Sequence, residues 1–211
     1  MLRVLLIGLV MVAGVVGAEK YQARDFSSIL GMKGFSDDLL NMHFKLYQGY
    51  VKNTNTLVEK IGALSKGGQD RSSEYAGLKR MFGWEFDGMR LHEYYFENLG
   101  GSGKIDQEGA LYQSLVDHFG SYEKWKQDYQ ATGLIRGIGW VILYKDNKTG
   151  KLFNCWINEH DLGHLSGCTP IVVMDVWEHA YITEYGLDRA AYIGSFFNNL
   201  NWKVAEERYG S

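Results

Sequence analysis

Asp175 and His179 stand four residues apart in the stretch 175–181, Asp-Val-Trp-Glu-His-Ala-Tyr, with a second acid, Glu178, between them. Carboxylate oxygen paired with imidazole nitrogen is a ligand mixture that suits iron or manganese. An isolated Asp/His pair says little. This pair sits among two aromatics and another acid, and further candidate histidines lie upstream, His43 and His92 among them.

The surrounding chain bounds what such a site could serve. At 211 residues, with 45% hydrophobic and 22% charged content, it can bury one or two ordinary cores. A formal charge of −3 gives no basic field for nucleic acid. Aromatic content of 14% is the one compositional sign of an aromatic-lined site. The first eighteen residues differ in kind: a positive start at Arg3, an apolar run over 4–16, then Val16-Gly17-Ala18 before Glu19-Lys20. The run is short for a membrane span, so it predicts a cleaved export signal over 1–18, with an uncleaved anchor as the rival. The mature chain is then exported, to the periplasm in a Gram-negative source, with no stable membrane insertion after cleavage. In an oxidising compartment Cys155 and Cys168 could form a disulfide, and two buried thiols are the equal alternative.

Hydrophobic periodicity supplies the elements that must position the ligands. Ser36 reads as a helix cap followed by Asp37 and Asp38, and Leu39, Leu40, His43, Leu46, Tyr47 and Tyr50 follow helical spacing, which 51–64 can continue. Gly67-Gly68 breaks the run, and a second helix covers 73–99, closed by Gly100-Gly101. Short helical patterns cover 108–119 and 121–131. Strands are expected over 139–145, 151–158 and 169–174, the first two joined by a polar turn, and a final helix over 189–208. The fold class is therefore α+β: a long N-terminal helical hairpin over 19–103, then an α/β domain over 104–211 with a small antiparallel sheet of about three strands.

These residues resemble the iron/manganese superoxide dismutases. The stretch 175–181, followed by Tyr185, Arg189, Tyr192 and Asn201-Trp202, is similar to the family's C-terminal signature. The likeness runs back through Phe119-Gly120-Ser121, Gly137-Ile138-Gly139-Trp140 and the block 92–99 to His43 and Tyr50-Val51-Lys52-Asn53. It implies one iron or manganese ion per subunit, with iron mildly preferred, held by His43, His92, Asp175 and His179. It also implies Tyr50 as the gateway tyrosine and His160 as the group bonding the metal-bound solvent, with Gly88 leaving room for it. Phe96, Trp140 and Trp177 would wall the ion, and Glu178 beside His179 would bridge a homodimer or a dimer of dimers. His164 reads as structural.

Three departures from the family pattern stand out. His43 to Tyr50 is one residue shorter than usual, so either the helix is locally irregular or the alignment slips, with Met42 at the ungapped position. The gateway histidine is replaced by Leu46 or by Tyr47. Ile182 stands where a second interface tyrosine is usual. The expected activity is conversion of superoxide to dioxygen and hydrogen peroxide. The alternative is a non-catalytic metal-binding or interaction protein derived from the family. A di-iron carboxylate bundle is disfavoured, because no paired Glu-x-x-His motifs occur.

Overall fold

The computed structural model describes residues 19–211. The export signal expected over 1–18 lies outside the described residues. Two capped helices build the hairpin. The Ser36 hydroxyl accepts from the Leu39 amide at 3.2 Å, with Asp37 and Asp38 in the first turn, and α1 runs unbroken over Asp37–Lys66. Its buried stripe, Leu39, Leu40, His43, Tyr47, Val51, Thr54 and Leu57, follows three-to-four spacing and faces α2, Ser73–Glu97. That helix begins at the Ser72 hydroxyl, 3.1 Å from the Tyr75 amide.

Helix α2 stops at Glu97, short of the expected 99, because Asn98 is committed elsewhere. Its side-chain oxygen accepts from the Val173 amide at 2.9 Å, and its carbonyl accepts from the Asn201 amide at 2.7 Å. One residue thus ties the hairpin to both the sheet and the C-terminus.

Helices α3 (Ala110–Phe119) and α4 (Tyr122–Gly133) meet at Gly120, whose φ of 86° is the left-handed turn that lets one helix end and Ser121 cap the next. Strands β1 (Trp140–Asp146), β2 (Leu152–Ile157) and β3 (Cys168–Asp175) form an antiparallel sheet in the order β2-β1-β3. Trp140 through Leu143 on the central strand are fully buried, and Trp140 pairs with Asp175. The cysteines lie on β2 and β3 with β1 between them, as free thiols. Two strand spacings, roughly 9.6 Å, exceed the reach of a disulfide.

The single helix expected over 189–208 is two. A short α5, Ile182–Tyr185, precedes α6, Arg189–Asn198, and α7 covers Trp202–Gly210. The chain breaks over 199–201 because its backbone there bonds the loop after α2: the Gly101 amide donates to the Asn199 carbonyl at 2.9 Å, and the Gly103 amide to the Leu200 carbonyl at 3.1 Å. A Cβ at Gly101 would lie 2.4 Å from the Asn201 Cα, so only glycine allows this approach. No helix among the described residues is long and apolar enough to cross a membrane.

Candidate metal centre

Four separate elements deliver the four candidate ligands. His43 comes from α1, His92 from α2, Asp175 from the last position of β3, and His179 from a 3-10 turn at Glu178–Ala180. One donor atom from each lies within 4.8 Å of all the others. The Nε2 atoms of His179, His43 and His92 stand 3.1, 3.2 and 3.7 Å from Asp175 Oδ2. Ligands about 2 Å from a common centre are separated by roughly 3 to 4 Å, depending on the angle between them. These spacings fit a bound ion. His43 Nε2 and His92 Nε2 are moreover buried without a hydrogen-bond partner, a costly arrangement for a pure core and the expected one for metal donors.

The surroundings hold the donors in ligating form. His92 Nδ1 donates to the Gly88 carbonyl at 2.5 Å, leaving Nε2 with its lone pair towards the centre. Burial drives the His43 and His92 imidazoles below the ordinary histidine range, towards the neutral form that binds metal. Burial alone would raise the Asp175 carboxyl, but the neighbouring His179 and His43 imidazoles, His179 foremost, outweigh it and hold Asp175 ionised. The Trp177 amide donates to Asp175 Oδ1 at 2.8 Å, and the Tyr192 hydroxyl donates to the Asp175 carbonyl at 2.6 Å. The first orients the carboxylate, and the second fixes the backbone that carries it.

Tyr50 and His160 meet beside this cluster, with Tyr50 Oη 2.7 Å from His160 Nε2. The Trp140 indole N–H donates to His160 Nδ1 at 3.1 Å, which fixes the proton of a neutral imidazole on Nε2. His160 therefore donates to Tyr50 Oη, and the phenol keeps its own proton for another acceptor. Burial pushes the His160 imidazole down to about 4, so it stays neutral at physiological pH, and burial raises the Tyr50 phenol above its ordinary range. Gly88 makes the meeting possible: a Cβ there would stand 2.6 Å from the Tyr50 ring. Phe96 packs on His43 and Trp140 on His92, at ring separations of 5.0 and 5.1 Å, and Trp177 stacks on His160 at 4.7 Å.

The short spacing in α1 needs no irregularity. Seven residues are close to two turns of regular helix, so His43 and Tyr50 share a face while Met42 is 39% exposed. Tyr47, four after His43, is buried, and Leu46 is half-exposed. The Tyr47 hydroxyl donates to Glu93 Oε1 at 2.9 Å and accepts from the Arg24 amide at 3.0 Å, while Arg90 holds Glu93 Oε2 at 2.5 Å. Burial above all, with Glu93 adding to it, pushes the Tyr47 phenol up to about 12.

Glu178 is exposed on the single chain, and Ile182 is 39% exposed at the start of α5. Sequence reasoning missed the Tyr47–Glu93 link and Trp84, whose ring lies 4.8 Å from His160. The position of Glu93 directly after His92 was the available signal for the first.

The family model of the iron/manganese superoxide dismutases, C-terminal domain, matches residues 107–208. The chain is 35% identical over 184 residues to an iron superoxide dismutase of Cupriavidus metallidurans, covering 85% of this chain and 91% of that protein. It is 34% identical over 175 residues to a manganese superoxide dismutase of Haloferax volcanii, covering 82% and 86%. Against an iron superoxide dismutase of Aquifex aeolicus it is 32% identical over 199 residues, covering 92% and 93%. The chain belongs to the iron/manganese superoxide dismutase family, a family of oxidoreductases.

Proposed function

We propose that this chain is an exported superoxide dismutase in which His43, His92, Asp175 and His179 hold one iron or manganese ion per subunit. The observation that carries the reading is the convergence of four donors within 4.8 Å, two of them buried imidazole nitrogens with no other partner. The ion, when bound, supplies alternate one-electron reduction and oxidation, by which two superoxide anions and two protons become dioxygen and hydrogen peroxide.

The protein's own residues supply the remainder. The ionised Asp175 offsets part of the charge of a cation among three neutral imidazoles. Phe96, Trp140 and Trp177 limit water at the site, which strengthens every charge inside it. His160 donates to Tyr50 Oη and so orients the phenol proton outward, ready for an anionic acceptor.

Iron is the mild preference, supported by His160 arriving beside the site from the chain after β2 and meeting Tyr50, for whose ring Gly88 leaves room. Relatives bear iron and manganese names alike. A homodimer or a dimer of dimers through Glu178 and His179 is supported by the exposure of Glu178 and Ile182 on the single chain. Export, to the periplasm if the source is Gram-negative, rests on residues 1–18.

The test is metal analysis with superoxide consumption on protein loaded with iron or manganese, for wild type and His92→Ala. Wild type is expected to hold one ion per chain and consume superoxide, and the variant to lose both by more than about a hundredfold. Stoichiometric metal without superoxide consumption in the wild type overturns the enzymatic reading. Sequencing the N-terminus of protein recovered outside the cytoplasm tests export, with Glu19 the expected first residue.

A further inference from the structure

His164 lies outside the site described above, yet it touches it through the backbone. Its Nε2 stands 2.6 Å from the His160 carbonyl oxygen, and its Nδ1 stands 2.6 Å from Tyr144 Oη. A carbonyl only accepts, so Nε2 carries the proton and donates. Nδ1 then holds a lone pair, and the Tyr144 hydroxyl donates to it. Both ring nitrogens are thereby assigned, and the chain of bonds runs in one direction from β1 to the loop that carries His160.

One backbone feature shows that this loop is held in an unusual shape, and another marks the strand pair that carries Tyr144. Glu159, directly before His160, has a φ of 61° and is the one non-glycine residue with positive φ among the described residues. Such a conformation costs on the order of 1 kcal/mol or more and persists only where its surroundings impose it. On the other side, the pairing of β1 with β3 shifts register between Leu143 and Tyr144: Leu143 pairs with Val172 but Tyr144 with Pro170. A bulge of this kind re-aims a side chain, and proline, lacking an N–H, is at home in one. The chain's single proline is thus paired with Tyr144, whose hydroxyl meets His164.

We propose that His164 is a positioning residue for dismutation: donating to the His160 carbonyl and held by Tyr144, it fixes the His160 loop so that His160 Nε2 meets Tyr50 Oη. This rests on the reading of Tyr50 and His160 as the groups that organise the proton. The His160 ring is otherwise located by the Trp140 indole and by packing on Trp177 and Trp84, and its loop is closed by an isolated bridge between Asn158 and Leu162, to which His164 adds a direct bond on the His160 carbonyl. Asp87 Oδ2, on α2, is the acid nearest the far side of the clamp, 3.9 Å from His164 Nε2 and beyond hydrogen-bond distance.

The two ring nitrogens can be separated experimentally. A glutamine amide can stand in for the Nε2 donor, whereas an asparagine resembles only the Nδ1 side. Metal-loaded wild type, His164→Gln, His164→Asn and Tyr144→Phe would be compared for kcat, KM, metal content and the pH midpoint of the bound ion's visible spectrum. His164→Asn is expected to lower kcat about tenfold with little change in KM, and to move the spectral midpoint, at full metal content. Tyr144→Phe should do the same to a lesser degree, and His164→Gln should restore most of kcat and the midpoint. Wild-type kcat and midpoint in His164→Asn overturn the proposal. So does equal loss in His164→Asn and His164→Gln accompanied only by a lower Tm, since that is a packing effect. His160→Ala measured alongside separates the two levels: if it too leaves kcat and midpoint unchanged, the reading of His160 itself has failed.

Discussion

Gly88 and Trp140 show how much of the site depends on single atoms. Adding one carbon at Gly88 places it 2.6 Å from Tyr50 Cδ1, inside any permitted contact, so the ring must leave His160. Gly88→Ala is expected to cost about 1–3 kcal/mol of stability and about tenfold in turnover, with metal content kept. Thermal unfolding and a superoxide assay on the loaded protein check this. Trp140→Phe removes the donor to His160 Nδ1 and strands a buried acceptor, for about 1–3 kcal/mol. Turnover should fall as well, because the imidazole is freed to adopt either tautomer, and the same two assays measure it. At this scale the sequence is informative about residue types and poor about directions. His43, His92, Asp175 and His179 were picked out by resemblance to the family's motifs, and the structure brings their side chains together. That His160 donates to Tyr50 was not legible, since it follows from an indole twenty residues away.

The hairpin α1–α2 carries Tyr47, one of the two residues expected at the gateway position, as a structural joint. Tyr47 follows His43 by one turn and Glu93 follows His92 by one residue, so their 2.9 Å bond locks the two ligand-bearing turns together. Tyr47→Phe leaves Glu93 Oε1 and the Arg24 amide without that partner, an expected loss of about 1–3 kcal/mol in denaturant unfolding. A smaller loss of metal affinity should accompany it. The elements themselves were largely readable: a cap at Ser36, periodic α1 and α2, and three strands around a polar turn. Their ends were not. The ends of α2 and α6 are set by the Asn201 amide donating to the Asn98 carbonyl and the Gly101 amide donating to the Asn199 carbonyl across the fold, which no local pattern announces. His43 was ambiguous for a related reason, since a helix one residue shorter can be either distorted or in register, and burial of the neighbouring side chains decides it.

Across the whole molecule, four elements contribute one candidate ligand each, so loss of a bound ion should loosen the assembly of hairpin on sheet. At free metal a thousandfold above Kd, binding contributes about 4 kcal/mol, and chelation should lower Tm accordingly, by about 10 °C. The metal-free protein should also weaken in acid. His160 titrates near 4 when folded against about 6.5 unfolded, so its contribution is fully present above 6.5 and is lost as pH falls through that window towards 4, because the unfolded chain takes the proton first. His43 and His92 shift in the same direction. Denaturant midpoints of the chelated protein from pH 7 to pH 4 measure this, and a flat profile contradicts it. The same distribution of ligands also orders events during folding. His43 lies early in the chain and His179 late, with the sheet that carries Asp175 between them, so no partly made chain presents a complete binding site. An ion held by these four groups is therefore expected to be captured only when folding is nearly finished, so its identity should follow what is available where that final step takes place.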